Sequence, residues 1–177
     1  DEAEAFPRPF QWLEQHVRSH RESLKAKPKL AERWWRFERD AIAMRSAIAK
    51  FSDVLVIALV SKTVMPMRVP TGQVFSHALG VFATDNFGVQ AVLSSSLHQI
   101  WAITYGSTLE TRVRYTPSDV FETFPHPSLT DRLTSAGASL DVERREIMLR
   151  RDLGLTNLYN LVNDPAIHGD EDVERLR

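Results

Sequence analysis

The sequence predicts an α+β fold: a mixed β-sheet flanked by helices, followed by a helical C-terminal appendage. Three observations carry this. Residues 53–60, Asp-Val-Leu-Val-Ile-Ala-Leu-Val, form a continuous apolar run of strand length, which suits a strand buried on both faces. Val89, Val92, Leu93, Leu97, Ile100 and Trp101 recur at helical spacing and predict an amphipathic helix. From Leu109 to Tyr115 apolar and charged side chains alternate, the period of a half-buried strand.

The remaining elements follow in order. Phe6-Pro7-Arg8-Pro9 is an extended lead-in. Leu13, Val17 and Leu24 among many charges predict a mostly exposed helix from Phe10 that breaks before Pro28. Leu30, Trp34 and Phe37, then Ile42, Met44 and Ile48, predict one or two further helices with an apolar stripe. Neighbours on a helix point about 100° apart, so one of Trp34 and Trp35 belongs in a core and the other near the surface. Residues 64–70 read as irregular, Thr71-Gly72 as a turn, and 73–83 as one or two strands interrupted by His77 and Gly80. Asp85 is the expected cap of the helix that runs to Gly106-Ser107.

A strand follows at 109–115, with Leu109, Thr111, Val113 and Tyr115 on one face and Glu110, Arg112 and Arg114 on the other. Thr116 has the side chain of an N-cap, Pro117 fits the first helical position and Asp119 the first turn. Phe121 and Phe124 sit three apart on that short helix, which Pro125 and Pro127 stop; the unit is a clamp holding the strand end against a core. Beyond Pro127 come charged helices with thin stripes, through Leu140, Ile147 and Met148 and later Leu158, Leu161 and Val162. The division expected is therefore a domain over 1–127 and a helical segment over 128–177.

A length of 177 residues supports one domain, or one with an appendage. The net charge of -1 and pI near 6.7 exclude a simple basic nucleic-acid coat. The charge is uneven, however: bases crowd residues 18–50, and acids gather at Asp164, Asp170, Glu171, Asp172 and Glu174. Without cysteine there is neither a disulfide nor a cysteine–zinc site, which suits the cytoplasm. No apolar run approaches the roughly 20 residues of a membrane span, and no signal peptide is visible, so no membrane partner is expected. The start at Asp1 reads as that of an excised fragment.

The chemistry concentrates at Glu110, Arg112 and Arg114. On a strand, alternate side chains stand about 7 Å apart, close to two base-pair steps of roughly 3.4 Å. Guanidinium forks suit guanine and a carboxylate accepts from cytosine, so this face has the chemistry to read a DNA groove. A solvated edge with a cross-strand ion pair is the commoner use of such a pattern. His16 and His20 have the i, i+4 spacing of metal ligands, but no carboxylate completes the motif and a solvated pair is expected. Ser94 and His98 invite a serine–histidine reading, but at i, i+4 without a nucleophile elbow an intrahelical hydrogen bond is the simpler one. No glycine-rich loop follows a strand, so the chain is expected to bind rather than react, with no cofactor of its own.

Arg114-Tyr115-Thr116-Pro117-Ser118-Asp119-Val120-Phe121-Glu122-Thr123-Phe124-Pro125, with Ser94-Ser95-Ser96-Leu97-His98-Gln99-Ile100-Trp101 before it and Leu153-Gly154-Leu155-Thr156-Asn157-Leu158-Tyr159-Asn160 after it, resembles one family. It is the target-recognition region of large DNA adenine methyltransferases of the type IIL, MmeI-like, restriction-modification class. The resemblance runs from about Trp34-Trp35 to the end of the chain; His126 stands where relatives often carry an aromatic. It implies a sequence-specific module that binds double-stranded DNA beside the N-terminal methyltransferase domain of the same parent chain. That domain would flip an adenine and methylate N6 from S-adenosylmethionine, in restriction-modification or phage defence, with or without a fused endonuclease. Its catalytic Asn-Pro-Pro-aromatic tetrapeptide and cofactor loop are absent from these residues. Glu110, Arg112 and Arg114, then Thr111, are the expected base readers; Lys62, Arg68, Arg33 and Arg36 are the expected phosphate contacts. The competing expectation is a structural module that packs the catalytic parts together and touches no base.

Overall fold

Proline opens the first helix, α1 (Pro7–Leu13), where its missing N–H leaves no bond unmade. Helical turns continue through a π-helical stretch at Glu14–Arg18 into α2 (Ser19–Glu22), and Pro28 starts α3 (Pro28–Glu32) in the same way. The structure, a computed structural model, describes residues 2–24, 27–38 and 40–177. The chain forms two compact units that divide between Arg45 and Ser46, inside α4 (Ile42–Ile48).

In the first unit Phe10 packs on Trp34 and Trp35, with ring centroids 5.2 and 6.2 Å away. Arg18 lies over the Trp34 ring and is held by Glu14 and Glu22, one turn before and after it. Trp34 is buried and Trp35 half-buried, the division expected, although both lie in a turn after α3 and not on a helix. The stripe expected through Phe37 and Ile42 does not form, and both side chains are exposed. The cause is local: α3 stops at Glu32 and the chain unwinds, so Leu30, Trp34 and Phe37 share no helix.

In the second unit the apolar run becomes β1 (Asp53–Ala58), which passes through Leu59 into β2 (Val60–Ser61). Val54 to Ile57 are all buried, so both faces of β1 are covered. Antiparallel β3 (Met67–Pro70) and β4 (Leu79–Phe82) flank it in the order β3–β1–β4. β3 thus occupies part of the segment expected to be irregular. A second antiparallel sheet, ordered β2–β6–β5, contains β5 (Ser107–Leu109) and β6 (Arg112–Arg114). The strands therefore form two antiparallel sheets in place of one mixed sheet, within the expected α+β class. Leu59 makes the change of sheet: its N–H bonds Ala78 O and its carbonyl accepts from Tyr115 N.

The long helix expected after Asp85 is broken in two, α5 (Phe87–Ser94) and α6 (Ser96–Tyr105). Asn86, one residue later than expected, caps α5 by accepting from Gly88 N and Val89 N. Ser95 is extended; its hydroxyl donates to Val92 O and accepts from His98 N, ending one helix and starting the next. This break rotates the stripe. Leu97 and Ile100 become exposed, while His98 and Ala102 turn into the core with Leu55, Ile57, Phe82 and Leu93. α7 (Pro117–Val120) is the expected short helix after Pro117, although the Thr116 side chain makes no cap bond and its backbone carbonyl serves instead.

α8 (Asp131–Arg150) packs along α5, with Gly137 against the Phe87 backbone and Gln90 Nε2 donating to Asp141. Ile147 of α8 joins α9 (Leu155–Val162) and Met65 in a second apolar cluster, against which Leu176 of α10 (Glu171–Leu176) packs. The late acids have structural work: Asp170 caps α10 and holds Arg151, and Asp172 pairs with Arg150.

Candidate nucleic-acid interface

The single strand expected over 109–115 is a hairpin. β5 and β6 pair with Ser107 opposite Arg114, Thr108 opposite Val113 and Leu109 opposite Arg112, leaving Glu110-Thr111 as a two-residue loop. Glu110 has φ of 57°, a left-handed conformation that a tight hairpin loop demands of its first residue. Glu110 therefore does not share a strand face with Arg112 and Arg114, and Leu109 and Thr111 do not face the core. All of them are exposed, with Glu110 and Thr111 at the tip. The alternation survives from Arg112 onward: Val113 packs on the core, and Arg112 and Arg114 point away from it.

Directly opposed residues of an antiparallel pair share a face. The outer face of the small sheet thus carries Arg112 and Arg114, with Leu109, Ser107 and Val60 beside them. Lys62 follows β2 directly, and the register carried one step further sets it opposite Arg112. Among the described residues the side chains of Lys62, Arg112 and Arg114 have no hydrogen bond or ion pair. Three unneutralised cations stand together at the base of an exposed loop bearing one carboxylate. The cross-strand ion pair of the simpler expectation is absent among the described residues.

A rigid support lies behind this face. Tyr115, next after β6, is buried, and its hydroxyl meets His98 Nε2 at 3.1 Å. His98 Nδ1 lies 2.8 Å from the Leu93 carbonyl, which only accepts. Nδ1 therefore carries the proton and Nε2 accepts from Tyr115. Phe124 and Phe121 close over the pair and Phe82, and Trp101 Nε1 donates to Thr123, so the aromatic turn is the expected clamp. Burial holds the His98 imidazole below its ordinary range and raises the Tyr115 phenol, so both stay neutral. Removing the phenol with Tyr115→Phe leaves Nε2 without its donor and is expected to cost about 1–2 kcal/mol, read from chemical denaturation. The folded state binds a proton at His98 less readily than the unfolded chain. Its contribution is complete above the unfolded value of 6.5 and is lost as pH falls below that. The denaturation midpoint is expected to drop as pH falls below about 6.5, and less so in a His98→Gln variant.

The other predicted residues separate. Arg68 lies on β3 with its guanidinium over the Phe87 ring at 4.0 Å, donating to Asp85 O and Gln90 Oε1. It braces β3 against α5 and is half-buried. Arg33 and Arg36 are exposed residues of the first unit, where the Arg36 carbonyl accepts from Arg21. His16 stacks on exposed Trp12 and bonds its carbonyl, and no metal-binding cluster occurs among the described residues. Ser94 and His98 fall on different helices; the Ser94 hydroxyl is buried and has no hydrogen-bond partner among the described residues. Sequence reasoning missed Leu109 and Val60 as members of the exposed face. Nothing in 107–114 announces a turn, because no glycine, asparagine or proline interrupts it.

The family model described as "MmeI, target recognition domain" matches residues 2–128. No curated protein matches the chain. A solved structure, that of the type IIL restriction-modification enzyme MmeI in complex with DNA, superposes with a TM-score of 0.60 at 20% identity. The match covers 90% of this chain and 21% of that one, so the chain spans about a fifth of its length. At that identity the likeness concerns the fold alone. With most of its length matched by the family model, the chain belongs to the MmeI target recognition domain family.

Proposed function

We propose that this chain is the DNA-reading module of a type IIL restriction-modification enzyme, binding double-stranded DNA with the outer face of the β2–β6–β5 sheet. The observation that carries the reading is the unpaired trio Lys62, Arg112 and Arg114 beside an exposed hairpin loop. Arg112, Arg114 and Glu110, with Thr111 at the tip, would meet base edges; Lys62 would meet phosphate, as would Arg33 and Arg36 of the first unit. The solved relative was captured with DNA, which supports this reading. The parent would carry an N-terminal methyltransferase domain that methylates adenine N6 using S-adenosylmethionine, in restriction or phage defence in the cytoplasm. The β4–α5 turn has no glycine and Asn86 already occupies the α5 N–H groups, so this turn offers no cradle for S-adenosylmethionine, which supports a cofactor held by the parent's other domain.

Phosphate contacts release counterions, so affinity is expected to fall steeply with salt, by roughly 0.9 log unit per log unit of salt for each phosphate held. Duplex titrations at two salt concentrations measure this. Salt-insensitive binding would point to a protein partner instead.

A second reading, a packing module that reads no base, has one observation in its favour. α6 contains no Asp, Glu, Lys or Arg, and with the chain at 124–127 it borders an apolar groove of about 560 Å³ lined by Leu97, Ile100, Trp101 and Tyr105. Such a surface suits protein, not a polyanion. The DNA titration separates the two.

A further inference from the structure

We infer that Leu109 is a specificity-determining residue that reads the C5-methyl group of thymine; the inference rests on the DNA-reading function proposed above. Leu109 ends β5 directly opposite Arg112 and shares its outward face. It is 50% exposed, although a leucine at the end of a strand beside a well-filled core has every reason to turn inward. Val60, 36% exposed, stands on the same face opposite Arg114. The face is therefore mixed, with two guanidinium groups alternating with two apolar side chains, and no carboxylate pairs with either arginine among the described residues.

That mixture matches one surface. The major groove displays guanine acceptors that suit arginine, and its one apolar group is the thymine methyl. The minor groove offers no methyl at all. Adjacent strands lie about 4.8 Å apart, within one or two base-pair steps of roughly 3.4 Å. With Arg112 on a guanine, Leu109 then falls over an adjacent or next-adjacent pyrimidine. The charge of the face favours DNA over an apolar protein, because a protein covering Leu109 would also bury unpaired Arg112 and Arg114. Leu109 thus adds to the polar readers a contact that hydrogen-bond patterns do not predict.

The test uses the 177-residue chain. Its preferred duplex is selected from a random library, and each thymine in that site is then replaced singly by uracil, which differs only in lacking the methyl. One replacement is expected to weaken binding about fourfold, the worth of one buried methyl. In Leu109→Ala, which removes an exposed side chain, thymine and uracil at that position are expected to bind alike. Arg112→Ala is expected to keep the thymine–uracil difference while losing discrimination at a guanine. A selected site without thymine, uracil tolerated at every position, or a difference that persists in Leu109→Ala would overturn the inference while leaving DNA reading intact. Failure to select any sequence would remove the reading on which it rests.

Discussion

Replacing Gly137 by alanine is expected to destabilise the chain by about 3 kcal/mol, against the sign that helix propensity predicts. Alanine in a helix interior is worth about 1 kcal/mol over glycine. A Cβ at Gly137, however, would lie 1.9 Å from the Phe87 carbonyl oxygen and 2.7 Å from its carbon. The obstruction is backbone, which cannot rotate aside, so α8 must lift from α5 or the chain must bend. Overpacking of this kind costs about 1–3 kcal/mol and sometimes more. Lifting α8 also separates Asp141 from Gln90 and leaves the guanidinium of Arg144, 1% exposed, further from Asp141, its ion-pair partner at 3.7 Å. For a chain of this size the midpoint of thermal unfolding should fall by roughly 6–12 °C. Val142→Ala, an exposed change on the same helix, should move it by no more than about 2 °C. A neutral or stabilising Gly137→Ala would mean that the two helices do not approach this closely.

How much of this was legible depended on whether a local pattern decided the structure. The apolar run that became β1 could be buried only in the middle of a sheet, and Pro117 could only start a helix. The aromatic clamp after Tyr115 was likewise readable, because the prolines fix where its rings go, whereas Trp34 and Trp35 divide between core and surface in a turn and not by helical spacing. The break at Ser95 was not, since serine both tolerates a helix and caps one, and its choice depends on His98 reaching Tyr115 across the core. The hairpin was not either. Eight residues from Ser107 to Arg114 alternate as one strand would, and only the pairing of Leu109 with Arg112 shows that the chain reverses. Glu110 in a left-handed conformation is a residue that turn statistics would not choose. For the same reason the geometry around the expected site differs from the one the alternation predicts. Arg112 and Arg114 kept their outward face, Glu110 moved to a loop, and Leu109 moved from the core to the surface. Arg68 read as a free cation because nothing in the sequence announces that Phe87 and Gln90 will meet it.

Exchanging the charges at 110 and 112 is expected to change which base the parent enzyme prefers without destroying the fold. Lysine tolerates the backbone of Glu110 as glutamate does, since neither is β-branched. Arg112 is exposed, so aspartate there costs at most about 1 kcal/mol of strand preference. What changes is the hydrogen-bond pattern offered to DNA. On the proposed reading a carboxylate at the loop would accept from cytosine and a guanidinium on β6 would donate to guanine, and the exchange inverts both. Each such contact carries about 1–3 kcal/mol of discrimination, enough at two positions to move the favoured base pair. Uniform loss of binding to all sequences would instead describe two phosphate contacts.

The most direct measurement is therefore the methylated motif of the parent enzyme carrying Glu110→Lys with Arg112→Asp, mapped across genomic DNA beside the unaltered enzyme. Methylation is expected to persist at a motif altered at one or two base pairs, with the rest of the motif retained. An unchanged motif at full activity would contradict it, and would leave the β5–β6 hairpin as part of a packing module that reads no base.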